Sequence, residues 1–266
     1  MLIEMGEHPS ILSRGYARQG PSDGAVVVSD GKNVRTDVAH AGDEPYMLAR
    51  AVPGAAVVVC SSRYLAGRVA ESQLGCTVHV LDDGFQHLNL MRDVDLLVAS
   101  PDDFADVRTL PSGRFREPLD AAISADALLV PVGERATPGE MAARLKVKRA
   151  FGFARKIRTS APQARAFAFA GIAKPERFFA DLEKAGWPLT GRRSFSDHHP
   201  YSLKDLEAIH RAALESGAQV ILTTAKDAVR VPHGHSLPIV EVALEISIEP
   251  AFREWLQQRV ADARAA

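Results

Sequence analysis

The chain has 266 residues, 46% of them hydrophobic and 24% charged, with 32 basic residues against 33 acidic ones. These proportions suit a soluble globular protein and exclude a disordered chain, a coiled coil and a collagen-like fibre. A net charge of −1 gives no global attraction to nucleic acid, and two cysteines exclude a disulfide framework.

Residues 1–7 read as the tail of an amphipathic helix. Short apolar runs then alternate with helix-like stretches. Strands are expected at 10–12, 25–28, 56–60, 78–81, 95–99 and 127–132. Helices are expected at 44–52, 64–74 and 139–149, and SDGKN (29–33) reads as a hairpin turn. The strands are continuously apolar, as suits a mainly parallel sheet covered on both faces. From 151 to 164 Arg and Lys alternate with Phe and Ile, and this stretch reads as a connector. Beyond it a smaller α/β lobe is expected: strands at 166–170, 220–223 and 239–242, helices at 175–185 and 203–216, and a last helix at 249–264. The implied division is 1–150, 151–164 and 165–266, with the last helix free to pack back on the first lobe. No run approaches the roughly 18 apolar residues of a membrane span.

Ligands in open α/β sheets sit beyond the carboxyl ends of strands, and the chemistry-bearing motifs gather there. LDDGFQH (81–87) follows the 78–81 strand. The adjacent carboxylates Asp82 and Asp83 suit Mg²⁺, directly or through water, Gly84 permits a turn, and Gln86 and His87 could orient a phosphate. A helix N-cap is the plainer reading of the acidic pair. GDEP (42–45) places Asp43 and Glu44 before a helix, where capping alone accounts for both. SDHHPYS (196–202) sets His198 beside His199. Such a histidine near an acid suits acid–base chemistry, whereas Ser202 as an N-cap explains the loop without it. Two histidines without a spaced third ligand make a poor zinc site.

Arginine outnumbers lysine 24 to 8, a bias that fits either genome composition or phosphate handling. SRGY (13–16), Arg63 and LPSGRFREPL (110–119), with Arg114, Arg116 and Glu117, put arginines in expected strand-end loops. LTTAKDAVR (222–230) adds Thr223, Thr224, Lys226 and Asp227, which suit capping and binding equally. No GxxxxGK[ST] phosphate loop occurs.

Taken in order, SRGY, GDEP, LDDGFQH, LPSGRFREPL, AFAGIAKPERFF, FSDHHPYS and LTTAKDAVR resemble the tetraacyldisaccharide 4′-kinase (lipid A 4′-kinase) family of Gram-negative bacteria. The resemblance covers essentially the whole chain. It implies a P-loop-NTPase-like α/β fold with a second lobe. It also implies transfer of the γ-phosphate of ATP to the 4′-hydroxyl of a tetraacylated glucosamine disaccharide, at the cytoplasmic face of the inner membrane. Residue by residue, Asp43 matches the family's proposed base and His198 its paired histidine, with His199 the other candidate. Asp82 and Asp83 match the Mg²⁺-linked pair, which Glu44 assists. Tyr16, Arg63, Gln86, Arg116 and Glu117 match nucleotide-site positions.

The family carries an N-terminal membrane-docking helix, a first strand and GGTGKT ahead of SRGY, none of which is in this sequence. Truncation, with weak or absent ATP binding, is therefore expected. Two rival readings are a non-catalytic relative that binds lipid or nucleotide, and a metal-dependent hydrolase using the Asp and His pairs.

Overall fold

The computed structural model describes residues 1–15, 18, 24–133, 135–232 and 238–265. A short 3₁₀ turn, Ile3–Met5, stands where the helix tail was expected. There follow β1 (Pro9–Ser13), β2 (Val26–Asp30), α1 (Val38–Ala41), α2 (Asp43–Ala51), β3 (Ala56–Val59), α3 (Arg63–Leu74) and β4 (Val78–Leu81). Next come β5 (Leu96–Val98), β6 (Ala127–Pro131), α4 (Pro138–Leu145), β7 (Ala150–Arg158), β8 (Ala166–Ala170) and α5 (Pro175–Lys184). The chain closes with β9 (Leu189–Ser194), α6 (Leu203–Glu215), β10 (Val220–Thr224), α7 (Ala225–Ala228), β11 (Ile239–Ile248) and α8 (Pro250–Ala265).

Two compact units form. The larger joins Leu2–Asp82 to Lys156–Glu245, and the smaller joins Asp83–Arg155 to Ile246–Ala266. The grouping is interleaved and does not coincide with a linear division near residue 150.

The larger unit holds one sheet in the order β2-β3-β1-β4. β1 runs parallel to β3 and β4, and β2 is antiparallel to β3 at the edge. Alternate side chains of β3 serve opposite faces. Ala56, Val58 and Cys60 meet Ala66 and Ala70 of α3, while Val57 and Val59 meet Ala41 and Ala49. The turn after β1 requires a glycine: Gly15 has φ +69°, and a Cβ there would lie 2.2 Å from Val59 Cγ1. The same unit holds parallel strands in the order β11-β10-β8-β9. Small Ala166, Ala168 and Ala170 on one face of β8 leave room for Phe178, Phe179 and Leu182 of α5. Phe167 and Phe169 on the other face pack on Leu206, Ile209 and Ala213 of α6.

In the smaller unit β5, β6 and β7 pair in parallel. Leu128 and Val130 of β6 pack on Met141 and Leu145 of α4. On the opposite face Ala127 and Phe151 meet Phe252 of α8, with the Phe151 and Phe252 rings edge to face at 5.3 Å.

Several elements depart from the sequence reading: the helix expected over 139–149 ends at Leu145, α1 and α7 were not anticipated, and three strands differ. Most of the stretch expected as a connector is β7, whose Phe151 and Gly152 are buried and whose basic residues lie further along. β9, with sequence LTGRRS, was not anticipated; it is an edge strand with an exposed second half, so its sequence lacks an apolar run. β11 continues six residues past the expected end at 242, through mostly exposed residues.

Candidate active site

α2 begins at Asp43 directly after Gly42, whose φ of +86° turns the chain into the helix. The Asp43 side chain is only 7% exposed. Its Oδ2 lies 2.8 Å from Nδ1 of His198, a residue 155 positions later. Arg230 Nε approaches the same oxygen at 3.6 Å. His198 itself has φ +57°, and its backbone N–H reaches Asp197 Oδ1 at 3.0 Å and Gly171 O at 3.2 Å. Few non-glycine residues occupy this left-handed region, and such residues gather at functional sites. Among the described residues the others are Asp83 and Lys146.

A buried network holds that loop. Asp227 is fully buried. Its Oδ1 accepts from Gly171 N at 3.0 Å, Tyr201 Oη at 2.9 Å and Arg230 Nη2 at 2.6 Å, and its Oδ2 accepts from Thr224 Oγ1 at 2.6 Å. Arg230 Nη2 also donates to Gly171 O at 3.0 Å. A Cβ on Gly171 would come within 2.9 Å of the Tyr201 hydroxyl, so the strand end has to be glycine. Burial, followed by the Asp227 charge, raises the Tyr201 hydroxyl far above the usual phenol range.

His198 and His199 take separate roles. His199 turns to Asp205, with Nε2 3.3 Å from Oδ2, and its ring stacks 4.6 Å from Phe195. Ser202 caps α6 in a capping box with Asp205, as the sequence suggested. Glu44 is exposed, and its Oε1 takes the Lys226 ammonium at 2.8 Å. That ion pair was not legible in the sequence, which offered Glu44 to a metal and left Lys226 between two roles. Arg230 was missed altogether. Its spacing of three from Asp227 within LTTAKDAVR was the available signal.

At the ends of β1 and β4, Ser13 Oγ donates to Asp82 Oδ2 at 3.0 Å. Arg63 is buried and its guanidinium donates to the carbonyls of Cys60 at 3.0 Å and Asp82 at 3.3 Å. It ties two strand ends together instead of projecting into solvent. Arg14, at the end of β1, is exposed. Tyr16 lies outside the described residues.

In the smaller unit Arg116 Nη1 lies 3.2 Å from Asp83 Oδ2 and 3.3 Å from Gln86 Oε1. Both charged side chains are largely exposed, at 60% and 74%. The left-handed residue in this turn is Asp83, with φ +50°, and not Gly84. Glu117 is half-buried beside Arg116 in sequence.

Whether these residues suit Mg²⁺ turns on their donor chemistry. Among the described residues no three His, Cys, Asp or Glu side chains converge on a common point. Mg²⁺ is commonly held by one or two carboxylates and completed by water and phosphate oxygens. Asp82, Asp83 and Glu44 are carboxylates of that kind, and each has a protein partner here: Ser13 for Asp82, Arg116 for Asp83 and Lys226 for Glu44. No helix among the described residues is long and apolar enough to cross a membrane.

The tetraacyldisaccharide-1-P 4′-kinase family matches residues 1–261. The tetraacyldisaccharide 4′-kinase of Desulfotalea psychrophila is 38% identical over 96% of this chain and 79% of its own length. That of Geobacter metallireducens is 38% identical over 93% of this chain and 77% of its own. The crystal structure of the "apo" form of LpxK from Aquifex aeolicus in complex with ATP superposes with a TM-score of 0.75. It is 28% identical, and the match covers 98% of this chain and 80% of that one. Neither the hydrolase reading nor the non-catalytic reading gains support from these relatives. The chain belongs to the tetraacyldisaccharide-1-P 4′-kinase family.

Proposed function

We propose that this chain transfers the terminal phosphate of ATP to the 4′-hydroxyl of a tetraacylated glucosamine disaccharide, with Asp43 as the base. The observation that carries the residue assignment is the 2.8 Å contact between Asp43 and His198. An acceptor hydroxyl must lose its proton as it attacks phosphorus, and a carboxylate oriented by a histidine is suited to take it. Arg230, 3.6 Å away and largely buried, sets a positive charge beside the same carboxylate oxygen.

Phosphoryl transfer depends mostly on positioning and charge stabilisation. Arg116, with Gln86 beside it, offers a planar fork suited to phosphate oxygens. Arg63 acts indirectly, by fixing the Cys60 and Asp82 carbonyls and hence the strand end that carries Asp82. Asp82 and Asp83 would hold Mg²⁺. The metal, when bound, offsets negative charge on the phosphates. Tyr16 and Glu117 belong to the nucleotide site in the same reading. The protein works as a peripheral enzyme at the cytoplasmic face of the inner membrane, where an acylated acceptor resides, and has no nucleic-acid partner.

Replacing Asp43 by Asn keeps the shape of the side chain and removes its basicity. In Asp43→Asn, kcat for phosphate transfer to the acylated disaccharide is expected to fall by about 10²–10⁴-fold, with ATP affinity little changed. Turnover near that of the unsubstituted chain would refute the assignment of Asp43.

A further inference from the structure

Lys226 lies in the first turn of α7 and its side chain is 17% exposed. Its ammonium reaches three groups that belong to the surroundings of the Asp43–His198 pair. Nζ is 2.8 Å from Glu44 Oε1, 3.4 Å from His198 Nε2 and 3.7 Å from Asp197 Oδ1. An ammonium carries protons and no lone pair, so it can only donate. A ring nitrogen beside it therefore presents its lone pair. In a neutral imidazole the single proton then sits on Nδ1, the atom 2.8 Å from the Asp43 carboxylate.

The other charged groups agree with this arrangement. Asp197 Oδ2, the carboxylate oxygen recorded near Nε2 among the described residues, is 3.8 Å from it, beyond hydrogen-bond range. Arg230 Nε lies 3.6 Å from Asp43 Oδ2, the oxygen that faces His198 Nδ1. Glu44 pairs with Lys226 and holds the ammonium in place.

We infer that Lys226 is a positioning residue that holds His198 as the neutral tautomer protonated on Nδ1. His198 then donates to Asp43 Oδ2 and fixes the carboxylate. Without Lys226 the proton is free to move to Nε2, which turns a bare ring nitrogen to Asp43 and removes the hydrogen bond that orients it. The inference deepens the proposed function and rests on its reading of Asp43 as the base.

The test is nitrogen NMR of the full chain carrying ¹⁵N-histidine. The His198 signals are assigned by difference from His198→Gln among the nine histidines of the chain. The unsubstituted protein at neutral pH is expected to show Nδ1 protonated and Nε2 bare. Lys226→Met is expected to move the signals towards an Nε2-protonated or doubly protonated ring. Its kcat should fall by about a hundredfold with KM for ATP little changed. Lys226→Arg, which restores a donor-only cation, should keep the Nδ1 signature and recover most of the turnover. An Nε2-protonated or doubly protonated ring in the unsubstituted protein overturns the inference, as does an unchanged spectrum in Lys226→Met. Should Lys226→Met fail to fold, the unsubstituted and Lys226→Arg spectra still decide. Full turnover in Asp43→Asn would remove the base reading alone, because the tautomer is read without any turnover.

Discussion

At the scale of single residues, Tyr201 offers a pH-dependent signature of the network behind His198. Its hydroxyl donates to the buried Asp227 carboxylate, so ionising it would set two negative charges against each other out of water. The folded state therefore raises its pKa, and the neutral phenol contributes stability in full below the unfolded value of about 10. That contribution is lost as pH rises further, towards the folded value. In an alkaline absorbance titration of the native protein, the phenolate signal is expected to stay short of that of all four tyrosines until the chain unfolds. A full four-tyrosine signal from folded protein would contradict the buried donor. Asp43, His198, Asp82 and Asp83 could all be picked out of the sequence because adjacent acids and adjacent histidines are conspicuous. The pairing of Asp43 with His198 across 155 positions followed from the family resemblance alone, and the cations beside the pair did not follow at all: the sequence left Lys226 between capping and binding and gave no role to Arg230.

Among elements, α6 shows how a cap serves the site at a distance. Ser202 Oγ accepts from Asp205 N at 3.2 Å, while Asp205 Oδ2 accepts from Ser202 N at 2.9 Å and lies 3.3 Å from His199 Nε2. The box thus starts the helix and fixes the residue next to His198. Ser202→Ala is expected to destabilise the protein by about 1 kcal/mol, read as a shift in the denaturant midpoint with the slope unchanged. A midpoint equal to that of the unsubstituted chain would show that the box contributes nothing. Strands with continuous apolar sequence, such as β3 and β8, were legible because both of their faces are covered. β7 and β9 were not. In β7 a buried start gives way to alternating Arg, Lys and Ile, and β9 lies at an edge where half its residues meet solvent. Neither carries the uninterrupted apolar run that marks a covered strand.

For the whole molecule, the interleaving of the two units determines what can be removed. A fragment ending at residue 150 keeps β6 but loses Phe151, Phe252 and Trp255, which cover the Ala127 face. Such a fragment is expected to bind a hydrophobic dye and to lack a sharp thermal transition, as checked by fluorescence and calorimetry. A cooperative transition like that of the intact chain would show the 1–150 division to be self-sufficient. The same arrangement imposes an order on synthesis. Residues 83–155 leave the ribosome well before α8, whose Phe252 and Trp255 close their apolar face. The first sheet, too, is complete long before residues 156–245 supply His198 and Lys226 for Asp43 and Glu44. The Ala127 face therefore stays uncovered, and Asp43 without His198, until those later segments are made, which exposes the nascent chain to chaperones and proteases through much of translation.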